Sequence, residues 1–122
     1  MASSRSVGGE AERRAAQYLE TQGLKVIERN FTCRLGEIDL ICEEGPTLVF
    51  VEVRSRKWSR YGHPEESISR EKKRRIANTA RLYLLERKLG ERECRFDVVS
   101  ILGSDPPIHQ RDAFDDSFYK SG

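Results

Sequence analysis

Residues 36–56 read GEIDLICEEGPTLVFVEVRSR, and this stretch decides the architecture. Two β-type runs, 37–42 and 48–54, flank a Glu-Glu-Gly-Pro turn. Gly and Pro supply the backbone angles of a chain reversal, so alternating apolar runs on either side predict a β-hairpin. Side chains alternate faces along a strand, which sets Ile38, Leu40 and Cys42 against Glu37, Asp39 and Ile41. In the second run Val49, Val51 and Val53 share one face, opposed to Leu48, Phe50, Glu52 and Arg54. An even loop brings the all-apolar sets together, and burial selects that register. Asp39, Glu52 and Arg54 then meet on the other face, beside the large apolar Ile41, Leu48 and Phe50. A partly covered face must neutralise two carboxylates by protonation, ion pairing or metal binding. The bland alternative is a solvated polar face carrying an ordinary ion pair.

The chain of 122 residues suits one domain, 1–122, with short flexible ends and a single modest core. Charged residues make up 34% and hydrophobic residues 37%, which fits a well-solvated globular protein rather than a disordered one. The apolar stretches are too short to span a bilayer, and the start, MASSRSVGGEAERRAAQ, does not resemble a secretory signal. Cys33, Cys42 and Cys94 are odd in number and widely spaced. They form neither a Cys-x-x-Cys pair nor a zinc ligand set, and a thiol-reducing cytoplasm suits them. Cys42 reads as a buried thiol. The sequence does not encode a legible oligomeric state.

A net charge of +2 hides a strong asymmetry. Residues 54–88 hold twelve Lys/Arg against four Asp/Glu, whereas residues 1–53 hold six against nine. The base-rich segment starts beside Glu52, with Arg54, Arg56, Lys57 and Arg60. Positive potential next to carboxylates suits a polyanion whose phosphate must reach a metal, although basic runs are often only solvated helices.

In chain order, a helix is expected over 7–22, with Ser6 as its cap, Gly23 as its stop and a stripe through Ala11, Ala15 and Leu19. Glu10 falls near its first turn, where the helix dipole alone favours an acid. Residues 24–31 read as an edge strand. The polar loop after Arg54 interleaves Trp58, Tyr61 and His63 with cations, and both His63 and His109 read as non-ligands. Ser67 or Ser69 caps a second helix running to about Lys88. Lys72, Lys73, Arg74 and Arg75 crowd its start against the dipole, a local conflict of the kind found at functional sites. Residues 94–102 form another strand and 108–110 a short last one. The expected class is α/β, a mixed sheet flanked by helices in the order αβββαβ(β).

The blocks GGEAERRAAQYL, NFTCRLGEIDLI, LVFVEVRSR, the Lys72 helix and CRFDVVSI resemble the YraN-like family of uncharacterised bacterial proteins across nearly the whole chain. Asp39, followed after a hairpin by Glu52-Val53-Arg54, resembles the Asp and Glu-x-Lys signature of restriction-endonuclease-like nucleases. The resemblance implies that fold and assigns Glu10, Asp39 and Glu52 to acidic site positions. Carboxylate oxygens suit a hard cation such as Mg²⁺ or Mn²⁺, with Asp39, Glu52 and the Val53 carbonyl as protein ligands and Glu10 beside them. Arg54 departs from the signature Lys: a guanidinium clamps phosphate but cannot act as a general base. Lys72 is the expected compensating cation.

The expected function is therefore metal-dependent hydrolysis or binding of DNA phosphodiesters, with DNA ahead of RNA and a branched or structured form possible. Phosphate contacts are assigned to Arg56, Lys57, Arg60, Lys72, Lys73, Arg74 and Arg75. Two rivals stand beside it: a nucleic-acid-binding module without turnover, and a small scaffold whose acids form only an ion-pair network. No recognition-helix pattern for base edges is visible.

Overall fold

The structure, a computed structural model, describes residues 3–56 and 68–115, with residues 3–8 and 56 described as backbone alone. The chain runs α1 (Ser3–Thr21), β1 (Lys25–Cys33), β2 (Gly36–Glu44), β3 (Thr47–Arg56), α2 (Arg70–Glu86), β4 (Cys94–Leu102) and β5 (Ile108–Phe114). The five strands form one sheet in the order β1-β2-β3-β4-β5. All neighbours are antiparallel except β3 and β4, which are parallel and joined through α2. The sheet is mixed, with the hairpin near its middle, as the sequence led us to expect.

The hairpin register follows from burial. Cys42 faces Val49 and Leu40 faces Val51 across the β2–β3 ladder. Gly45, at φ 60°, supplies the left-handed residue of a turn completed by Pro46. Leu40, Cys42, Val49 and Val51 pack beneath Ala15, Ala16 and Leu19 of α1. Ile41, Leu48 and Phe50 face the other way, into a core closed by Ile76, Ala80 and Tyr83 of α2. One helix therefore covers each face, giving three layers around the sheet. Aromatic rings extend the α2 side, with Phe50 stacked on Phe96 at 5.6 Å and Phe96 on Phe114 at 4.9 Å.

Several expectations are corrected. The first helix begins at Ser3, so Ser6 lies inside it and is not the cap; no proline stands before Val7 to stop the extra turn. Ile38 belongs to the α2-side core with Phe31 and Ile41, not to the face of Leu40 and Cys42. The β2–β3 ladder stops at Leu40, so the residues before it follow the pairing with β1 instead. The last strand continues to Phe114 because the Asp97 carboxylate accepts the Asp112 N–H at 2.9 Å across a register shift. The second helix ends at Glu86, and Lys88 already has a φ of 56°. Ser69 is its cap, accepting the Lys72 N–H at 3.1 Å, while Ser67 lies outside the described residues.

A second buried polar cluster ties β4 to β5. Asp97 is fully buried and accepts from Arg95 Nε at 2.9 Å, from His109 Nε2 at 2.8 Å and from the Asp112 N–H. Glu44 closes the cluster by accepting from Arg95 and Arg111 at 2.7 and 2.6 Å. Those two guanidiniums hold the Glu44 carboxyl down at about 2. His109 is thus a structural partner of Asp97. Among the described residues, no helix is long and apolar enough to cross a membrane.

Candidate active site

The site forms where the hairpin ladder ends. Beyond the Leu40–Val51 pair, the Asp39 side chain takes over from the backbone: its Oδ2 accepts the Val53 N–H at 2.8 Å. A side chain thus fills a ladder position, which fixes Asp39 against β3 and leaves its second oxygen for other chemistry. Glu52 lies one residue before Val53 and is only 7% exposed. Its Oε2 receives Lys72 Nζ from α2 at 2.7 Å. Asp39, Glu52 and Lys72 line one cavity of about 470 Å³, together with Glu37, Arg34 and Arg75.

The electrostatics are lopsided. Burial, then the Glu52 charge, push the Asp39 carboxyl up to about 8, against the opposing pull of the Val53 N–H. Glu12 and Glu37 add smaller repulsions. Carboxylate oxygens of Glu12, Glu37 and Asp39 lie within 4.8 Å of one another. At neutral pH Asp39 accordingly keeps a proton that a cation in its place would release. Oxygen-only donors of this kind match a hard divalent ion and not a thiophilic one. Cys42 offers nothing to such an ion, since it is buried and burial pushes its thiol up to about 12.

The acid that α1 delivers is Glu12, whereas Glu10 bridges Arg13 at 2.7 Å on the outer surface. The reason is helical phase. Glu12 stands three, four and seven residues before Ala15, Ala16 and Leu19, the buried stripe, so it shares their inward face. That spacing was readable in the sequence. So was Glu37, which shares a strand face with Asp39 two residues away.

The cations of α2 diverge. Lys72 and Arg75 line the cavity, Lys73 lies over the Phe114 ring at 5.7 Å, and Arg74 is exposed to solvent. Arg54 is half-buried on β3, two residues beyond Glu52. Arg56 ends β3 and is described as backbone only, while Lys57, Trp58, Arg60, Tyr61 and His63 lie outside the described residues. Glycine at position 36 sets the helix over the hairpin. A Cβ there would meet Thr79 Oγ1 at 2.9 Å and the Arg75 Cβ at 3.7 Å, with φ at 155°.

This acid-and-cation cavity lies in a stretch that is shared widely. The model of the uncharacterised protein family UPF0102 matches residues 11–101. The chain belongs to that family. UPF0102 relatives cover most of its length: a protein of Persephonella marina is 46% identical over 108 residues, 88% of this chain and 92% of that one. One from Chromohalobacter salexigens is 47% identical over 115 residues, 92% and 93% of the two chains. One from Dechloromonas aromatica is 54% identical over 96 residues, 79% and 78%. The UPF0102 match spans Glu12, Glu37, Asp39, Glu52 and Lys72, and begins one residue after Glu10.

Proposed function

We propose that this UPF0102 protein is a metal-dependent nuclease-like protein that acts on DNA phosphodiesters, with a restriction-endonuclease-like core. The observation that carries this reading is the pair of half-buried Asp39 and buried Glu52, lining one cavity with Lys72 from the helix opposite. Two acids in so confined a space ionise together only at a cost, so at rest Asp39 keeps a proton and Lys72 balances Glu52, and a divalent cation would take that proton's place. Asp39 and Glu52 would hold Mg²⁺ or Mn²⁺ with the Val53 carbonyl, and Glu12 and Glu37 would support Asp39 from the side. When bound, the ion would lower the pKa of a water and offset charge on the phosphate.

The chain's own groups divide the remaining work. The Val53 N–H holds one Asp39 oxygen and so orients the other. Lys72 binds Glu52 at rest and, being a point charge on a flexible stem, is able to turn to a phosphate oxygen or an attacking water. Arg54 is unable to take a proton, so it is assigned to phosphate binding. That last point favours one second reading, a DNA-binding module on the same fold that does not turn over.

The test is a cleavage screen with Mg²⁺ and Mn²⁺ on linear, flapped and four-way DNA, beside Asp39→Ala and Lys72→Ala. Metal-dependent nicking lost in both variants supports the nuclease. Binding that survives without any nicking supports the module, and neither binding nor nicking overturns both.

A further inference from the structure

The ion pairs of the protein leave two guanidiniums over at the cavity. Five arginines elsewhere are engaged by carboxylates: Arg13 with Glu10, Arg87 with Glu28, Arg92 with Glu43, and Arg95 and Arg111 with Glu44. Arg34 and Arg75 both line the acid cavity, and among the described residues neither side chain has a hydrogen-bonded or ion-paired partner. Their roots adjoin. Arg34 sits in the turn between β1 and β2, and Gly36 two residues on has its missing Cβ position 3.6 Å from the Arg75 carbonyl. Thr79, fully buried, donates its hydroxyl to that same carbonyl at 2.7 Å and packs on Gly36. The hairpin turn and the helix are thus locked together at the point where each carries an unpaired cation.

We infer that Arg34 and Arg75 form a clamp for a second phosphate of the bound strand, next to the one at the acids. This rests on the proposed function and adds to it. Two neighbouring like charges are unfavourable in isolation and become favourable around an anion, and planar guanidiniums match phosphate oxygens bidentately. The acids beside them repel a free anion. A polymer whose adjacent phosphate is met by the cation proposed at Asp39 and Glu52 would escape that repulsion, so the clamp selects a polynucleotide over inorganic phosphate. Lys72 and Arg75 are three residues apart on α2, a rise of about 4.5 Å along one face, which sets both cations on the same wall of the cavity.

The experiment is fluorescence anisotropy of flapped DNA in Ca²⁺, which is used to hold the complex without turnover. Wild type, Arg34→Gln, Arg75→Gln and the double variant are compared across a salt series. Each single variant should bind about tenfold more weakly and lower the slope of log K against log salt by roughly 0.7–0.9. A scan of single methylphosphonates along the strand then removes one phosphate charge at a time. The clamp requires one position where wild type loses about tenfold and the double variant loses nothing further. Equal losses at every position in both proteins overturn the clamp and leave the functional reading intact. A wild type that binds no DNA overturns that reading and the clamp with it. Inorganic phosphate competing at low millimolar concentration overturns the selection for polymer.

Discussion

Lys72 Nζ reaches the Glu52 carboxylate at 2.7 Å, so the cationic start of α2 is anchored on an acid that is almost wholly buried. The contact gives one of the four successive cations a partner that offsets its unfavourable place at the helix N-terminus. Lys72→Met should strand the Glu52 charge and cost about 1–2 kcal/mol, less than a fully buried pair because Lys72 is half exposed. Urea denaturation of Lys72→Met, Glu52→Gln and their combination checks this. The double variant should lose less than the sum of the two.

Asp39 gives a pH dependence of unusual sign. Its folded pKa of about 8 lies above the ordinary 3.8, so between those values the native state holds a proton that the unfolded chain lacks. Stability from this group is complete below pH 4 or so and is lost as pH rises through about 8, with a slope of at most about 1.4 kcal/mol per pH unit. Asp39→Asn should flatten that limb. Denaturation at intervals from pH 5 to 9 measures the difference between the two proteins.

Metal binding should read out the same proton. Mn²⁺ displaces it, so titration at pH 7 releases a proton and raises Tm in wild type but not in Asp39→Asn. Calorimetry in two buffers of different ionisation enthalpy detects the release. Equal heats and equal Tm shifts in the two proteins would falsify Asp39 as a ligand.

At the far end of the sheet the sign is opposite. Burial opposes the ionised form of Asp97, but Arg95, the Asp112 N–H and His109 outweigh it and hold its carboxyl below the ordinary range. Its stability is therefore present above the unfolded pKa and disappears as pH falls through the folded one. Asp97→Asn should cost about 3–5 kcal/mol at pH 7 and much less in acid, seen as a shallower acid limb in thermal melts.

Gly36→Ala should destabilise by about 1–3 kcal/mol, from a strained φ and from a Cβ 2.9 Å from Thr79 Oγ1. Adding Thr79→Ala makes room and should recover part of that loss. A urea double-mutant cycle reads the coupling, and full additivity would show that the contact is not what limits the position.

The strands were legible because their pattern is strict: Val49, Val51 and Val53 alternate with residues of the opposite core, and Gly45-Pro46 fixes the loop. The pairing of acids was legible for the same reason. Glu12 was missed because the family resemblance put the α1 acid at Glu10, although the phase of Ala15, Ala16 and Leu19 points to Glu12. Ile38 was misplaced because alternation assumes an unbroken ladder, and Asp39 interrupts it with a side-chain hydrogen bond. The extension of β5 rests on Asp97 accepting a backbone N–H from a residue far along the chain. No local pattern encodes such a contact.

The sheet repeats the order of the chain, with one crossover between β3 and β4. Neighbouring strands close short loops, whose entropy cost is small, so β1, β2 and β3 are able to assemble as a meander from local contacts. The acids Glu37, Asp39 and Glu52 all lie on that meander, while Lys72 and Arg75 arrive only with the helix that makes the crossover. A meander-first route would lay down these acids with Arg34 before α2 brings Lys72 and Arg75 to the cavity. On that route the docking of α2 has an electrostatic part, and it should slow as salt screens the attraction of Lys72 and Arg75 to the acids.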